Sequence, residues 1–218
     1  VSWFSAGFKR HQSRGEELAN SISHGLGLLA AVIATPVLLS RAAREGDAQY
    51  TVATGIFAAT VILLYLASTL YHALHQGKSK RIFQMIEHSA IYFLIAGTYT
   101  PFMLGALRGP WGWSLLGLIW GLAAVGIVST IIGKASHPIF TTSLYLAMGW
   151  LIVIAAKPFL DKVPTSGLAW LLAGGLAYTL GVIFFATDSR LRYGHLIWHL
   201  FVLLGTLCHF VAIIGYAA

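Results

Sequence analysis

Charge is what this sequence has least of. Charged residues make up 10% of its 218 positions and only seven of them are acidic, whereas roughly 25% of an average soluble chain is charged. With 57% of the residues hydrophobic, the chain has too little polar surface to cover a soluble globule. This excludes an ordinary soluble domain and points to a protein that crosses a membrane many times. Cysteine is nearly absent as well. Cys208 stands alone, so no intrachain disulfide and no multi-cysteine metal cluster can form; it lies in an apolar run and reads as packing. No low-complexity tract and no internal repeat is visible.

What is present is a succession of apolar runs. Seven are long enough for a bilayer, which takes about 20 residues per helix, and they fall near 20–41, 50–74, 83–106, 112–133, 139–158, 166–187 and 194–216. The expected fold is an all-α integral membrane protein of seven transmembrane helices, with one membrane domain over 20–218. The first run is too long for a signal-peptide core and is followed at once by a second span, so it reads as an anchored helix. Residues 1–19 read as an amphipathic lead lying in the interface, with Trp3, Phe4 and Phe8 opposed by Lys9, Arg10 and Arg14. Gly109-Pro110 breaks the chain before the fourth span, and Lys157-Pro158 is expected to close the fifth. Trp111 and Trp113 suit an outer interfacial belt.

The net charge of +7 follows the connections between spans. With the N-terminus in the cytoplasm, the inner segments hold Lys9, Arg10, Arg14, Lys78, Lys80, Arg81, Lys134, Arg190 and Arg192. The outer ones hold Arg41, Arg44, Arg108, Lys157 and Lys162. The inner excess predicts a cytoplasmic N-terminus and an outer C-terminus. It is a topology signal, so no nucleic-acid partner is implied.

Against this background the polar residues stand out. His195 and His199 are four apart, on one face of the last span and one turn from each other. Imidazoles within a span are costly and commonly face a bundle interior, a cavity or a metal. The expected topology brings His24 of span one, Ser68 and His72 of span two, and Glu87 and His88 of span three to the same cytoplasmic level. His88 points about 100° away from Glu87 on the helix, so only one of the two faces a common centre. His11, His75 and His137 fall in loops or at boundaries, and His209, nearer mid-span, reads as packed or hydrogen-bonded.

His72, His195 and His199 form a three-nitrogen set that suits zinc, whose catalytic sites leave a fourth position open. The run from His195 to His199, HLIWH, lacks the glutamate of a His-Glu-x-x-His protease. A general base must come from another helix, and Glu87 is the acidic residue at hand; a carboxylate there can also act only by orienting a ligand or a water. Ser68, one turn before His72, can bond a water or a carbonyl oxygen, or its own backbone. Asn20 and His24 repeat the four-residue spacing and read as a supporting polar shell. Glu16 and Glu17 are expected at the interface, where a helix start favours acids.

These motifs resemble the bacterial haemolysin III family. The resemblance rests on the run Glu16–Gly25 (EELANSISHG), on Ser68–His72 (STLYH), on His88–Tyr92 (HSAIY) with Ala96–Pro101 (AGTYTP), on Tyr145–Trp150 (YLAMGW) and on HLIWH. It covers the chain from about residue 15 to its end, and it implies kinship with the progestin and adiponectin receptors and, more distantly, with the alkaline ceramidases. It implies a seven-helix fold in the bacterial inner membrane and a zinc ion near the cytoplasmic face, held by His72, His195 and His199. The family's usual acid in span three is aspartate, and this chain has Glu87, one methylene longer, able to reach a zinc water or to ligate directly.

The function implied is zinc-dependent hydrolysis of an amide or ester bond in a membrane lipid, with Glu87 as base and Ser68 steadying the water or the oxyanion. The alternative is a non-catalytic sensor or regulator of membrane lipid with structural zinc. A third reading, a pore-forming cytolysin, sits badly with a wholly apolar chain of short loops that looks resident in its own membrane.

Overall fold

A computed structural model describes residues 12–45, 47–133 and 138–218, with only the backbone of 138 and 139. The interfacial lead expected over 1–19 therefore lies outside it as far as residue 11, as do His11, Lys134 and His137. The described residues form helices and no strand: α1 (Arg14–Arg44), α2 (Ala48–Ala73), α3 (Lys78–Leu104), α4 (Pro110–Ile131), α5 (Pro138–Gly149), a 3-10 turn (Leu151–Ala155), α6 (Ala156–Lys162), α7 (Thr165–Thr187) and α8 (Gly194–Tyr216).

Local chemistry sets the ends. Ser13 caps α1 in a reciprocal box with Glu16: the Glu16 N–H donates to Ser13 Oγ at 3.3 Å, and the Ser13 N–H to Glu16 Oε2 at 2.9 Å. The helix thus starts six residues before the run expected from hydropathy. Asp47 caps α2 by accepting from the N–H groups of Gln49 and Tyr50 at 2.8 and 3.2 Å. Gly109, at a φ of 133°, supplies the turn from which Pro110 opens α4, as the sequence predicts.

Consecutive helices pack side by side, and α1 packs against α8, which closes the bundle into a ring. The most enclosed helix is α3, buried without interruption from Ala96 to Leu104, and it also touches α8 across the interior.

Six segments are long and apolar enough to cross a membrane: α1, α2, α4, Phe140–Lys162, α7 and α8. The third expected span, α3, is not among them, because its first half carries Lys78, Lys80, Arg81, Gln84, Glu87 and His88. The fifth is broken rather than closed at its proline. Helix α5 gives way to the 3-10 turn at Trp150, and Pro158 sits in the first turn of α6, where a missing N–H is tolerated. The backbone groups freed by that break find a partner in α3. The Tyr99 hydroxyl accepts from the Ile152 N–H at 3.0 Å and lies 2.9 Å from the carbonyls of Met148 and Gly149. These bonds satisfy backbone groups of the break with protein, as a membrane interior demands, and Trp150 Nε1 donates to Thr179 Oγ1 of α7 at 3.1 Å.

Candidate metal centre

At one end of the ring, α2, α3 and α8 bring His72, Glu87, His195 and His199 together. One ligand atom from each lies within 4.8 Å of all the others. The cluster joins residues up to 127 positions apart in sequence, and His72, Glu87 and His199 are buried. The imidazole rings of His72, His195 and His199 meet edge-on or tilted, with centroids 4.7 to 5.0 Å apart. His72 Nε2 lies 3.8 Å from Glu87 Oε1.

The other ring nitrogen of each histidine is already spoken for. His72 Nδ1 donates to Glu17 Oε2 at 2.7 Å. His195 Nδ1 donates to Asp188 Oδ2 at 3.0 Å. His199 Nδ1 donates to the Asn20 carbonyl at 3.2 Å and lies 3.0 Å from Ser23 Oγ, which itself donates to that carbonyl at 2.8 Å. Carboxylates and carbonyls only accept, so each Nδ1 carries a proton, which leaves Nε2 as the ring nitrogen that can offer a lone pair to a metal. For His72 and His195, Nε2 is buried with no hydrogen-bond partner among the described residues. Uncompensated burial of such atoms is unfavourable. Histidines whose Nδ1–H is held by a carboxylate or a carbonyl while Nε2 is bare are arranged as metal ligands are. The cluster can hold a metal ion, and three imidazoles with a carboxylate form a donor set that zinc accepts.

Around this cluster the structure places residues that the sequence pointed to and others that it did not. His24 lies flat on His199, ring centroids 3.6 Å apart and planes within 5°. Asn20 contributes its backbone carbonyl, while its side-chain amide donates to Gln12 Oε1 at 2.7 Å. Ser68 is wholly buried one turn before His72, its hydroxyl without a partner among the described residues. Glu17, expected at the interface, instead backs His72 and is gripped by the buried Lys80, whose ammonium lies 2.8 Å from Glu17 Oε1. Lys80 also donates to the last carbonyls of α2, Tyr71 at 3.1 Å and Leu74 at 3.2 Å, a cationic C-cap. Asp188, in the turn from α7 to α8, and Ser23 are further site residues that sequence reasoning missed. The clue for Asp188 was available: it is the one acid in the connection leading to His195. Glu16 braces the same end by accepting from the Tyr193 N–H at 2.8 Å, just where the chain turns into α8.

Beside the cluster, and walled by α3, α5, α6, α7 and α8, lies an apolar cavity of about 380 Å³. Phe185 lines it and has its ring 6.1 Å from that of His195, so the cavity ends one ring away from the histidines. Tyr145, also in the lining, donates its hydroxyl to the His88 carbonyl at 2.7 Å and ties α5 to α3 next to Glu87.

Several apolar spans around a buried histidine–carboxylate cluster define a multi-pass membrane protein with a candidate metal site. The chain belongs to the haemolysin-III related family, whose description matches residues 12–210. It is 44% identical over 201 residues to hemolysin-3 of Bacillus cereus, covering 92% of this chain and 91% of that protein. It is 43% identical over 201 residues to a hemolysin-3 homolog of Bacillus subtilis (strain 168), covering 92% and 94%. The human monocyte to macrophage differentiation factor is 30% identical over 206 residues, covering 92% and 84%.

Proposed function

We propose that this chain is a zinc-dependent hydrolase of a lipid amide or ester bond, spanning the bacterial inner membrane seven times with its N-terminus in the cytoplasm. The observation that carries the reading is the convergence of His72, His195 and His199, each with Nδ1 held, and with Nε2 of His72 and His195 without a partner among the described residues, beside an apolar cavity. In this arrangement α3 is the seventh span: at about 1.5 Å per residue its 27 residues reach about 40 Å, and within its polar first half Lys80 and Glu87 are buried while Lys78, Arg81 and Gln84 are exposed near the helix start.

His72, His195 and His199 would hold the ion. When bound, zinc supplies Lewis acidity and a water acidic enough to react near neutral pH. The chain's own residues do the rest. Glu87 takes a proton from the attacking water and returns it to the departing amine or alcohol. Ser68, with no other partner, donates its hydroxyl to the carbonyl oxygen as charge develops there. Glu17 and Asp188 keep the histidine rings oriented and their Nε2 lone pairs free. The cavity takes the acyl chain, and its apolar wall excludes water from the reacting carbonyl. Accumulation of lipid cleavage product by purified protein in lipid nanodiscs, abolished by His195→Ala, tests the reading; a zinc-loaded protein that turns over no acyl amide or ester overturns it.

One observation favours a second reading. Glu87 offers its carboxylate within the same 4.8 Å cluster as the three imidazoles. Four protein ligands make a closed site, the pattern of structural zinc, and the chain would then be a non-catalytic sensor or regulator whose cavity reports on membrane lipid.

A further inference from the structure

The cavity wall is apolar apart from a few hydroxyls, two indoles and the imidazole of His209, and nearly all the buried polar groups are spent. Thr98 donates to the Leu94 carbonyl and Thr179 to that of Gly175. Tyr99 and Tyr145 bond backbone carbonyls, as described above. The Tyr178 hydroxyl lies 2.9 Å from Thr206 Oγ1; since Thr206 donates to the Val202 carbonyl, Tyr178 is the donor of that pair. Among the buried polar side-chain atoms of the lining, His209 Nδ1 alone has no partner among the described residues.

The rest of the His209 ring is fixed. Nε2 faces Gly174 of α7, where a Cβ would stand only 2.6 Å away, so glycine is needed for the ring to lie there. The ring packs at a tilt on Tyr178, centroids 5.4 Å apart. Nδ1 is left without a partner among the described residues on the wall of an apolar cavity. A ring nitrogen without a partner in such surroundings is costly, and a hydroxyl on a ligand in the cavity, which can donate or accept, would satisfy it.

We propose that His209 forms a second recognition point, selecting a chain that carries a hydroxyl group well away from its polar end. On α8 the site lies ten residues from His199, about 15 Å along the axis. The ligand class is therefore an acyl lipid with a mid-chain hydroxyl roughly 15 Å beyond the group held at the histidine cluster. The inference rests on the lipid-cavity part of the proposed function and is independent of hydrolysis.

The test is competition binding to the purified full chain in detergent, read by native mass spectrometry, with octadecanoic and 12-hydroxyoctadecanoic acids as probes. The hydroxy acid is expected to bind roughly five- to tenfold more tightly than the unsubstituted one, the worth of one buried hydrogen bond. His209→Leu is expected to remove that preference while octadecanoic acid still binds; His209→Asn, which keeps a polar atom near the place of Nδ1, retains part of it. The preference is read as binding without turnover, so a protein that proves to lack hydrolase activity can still pass. Equal affinity for the two acids in the wild type overturns the proposal, as does a preference that survives His209→Leu. Binding of neither overturns both the subsite and the lipid cavity. The wild-type comparison decides even if His209→Leu does not fold.

Discussion

Glu17 Oε2 accepts the Nδ1–H of His72 at 2.7 Å while its other oxygen holds the Lys80 ammonium at 2.8 Å. One carboxylate thus orients a ligand of the metal cluster and neutralises a buried cation. Glu17→Gln keeps the shape and removes the charge. The expected result is a roughly ten- to hundredfold loss of metal affinity, the usual effect of removing such an outer partner, measured by chelator competition on folded protein. Unchanged affinity would mean that the Glu17–His72 bond serves packing alone.

Glu87→Gln separates the two readings of the site. If Glu87 moves protons, the variant keeps its metal and loses roughly 10²- to 10⁴-fold in turnover. If Glu87 is a fourth ligand of a structural site, the variant loses metal instead. Metal content and lipid turnover measured on one preparation decide between them.

Glu16 ties the start of α1 to the start of α8, bonding Ser13 and the Tyr193 N–H. Tyr193 is the one non-glycine among the described residues with positive φ, 59°, a conformation that costs a residue of its kind energy. Glu16→Ala removes the partner that holds this turn and one half of the α1 capping box. A loss of roughly 1–3 kcal/mol is expected, read as a lower thermal midpoint in detergent. A midpoint equal to wild type would contradict the brace.

Outside the membrane helices, Asp47 is held below the ordinary aspartate range, chiefly by the Tyr50 N–H, with the Gln49 N–H and Arg108 adding to it. Its folded pKa is lower than its unfolded one. The stability it contributes is therefore fully present above about pH 3.9 and fades as pH falls through the folded value. Thermal midpoints of wild type and Asp47→Asn should differ at neutral pH and converge in acid. A gap that widens on acidification would contradict this sign.

Much of the fold was legible in the sequence because apolar length is a strong signal. All the runs but the fifth, which is broken at Trp150, matched single helices, and the spacing of His195 and His199 announced a shared face. What the pattern could not convey was helix rotation and depth. Helix α1 is apolar on most sides, so periodicity does not say which way Glu17 points; the Ser13 cap starts the helix early and turns that carboxylate onto His72. Lys80 looked like a topology charge and is instead a buried cap of α2. Asp188 lies in a connection, where no periodicity speaks. His209 read as packed or hydrogen-bonded, and its Nδ1 has no partner among the described residues.

The central claim is that His72, His195 and His199 hold a zinc ion through their free Nε2 atoms. Elemental analysis of the purified, folded chain, without added metal, tests it most directly. The account predicts stoichiometric zinc in the wild type and its loss in His72→Ala, His195→Ala and His199→Ala at retained helical content. A folded wild type without bound metal, or zinc kept when all three histidines are replaced, would contradict it.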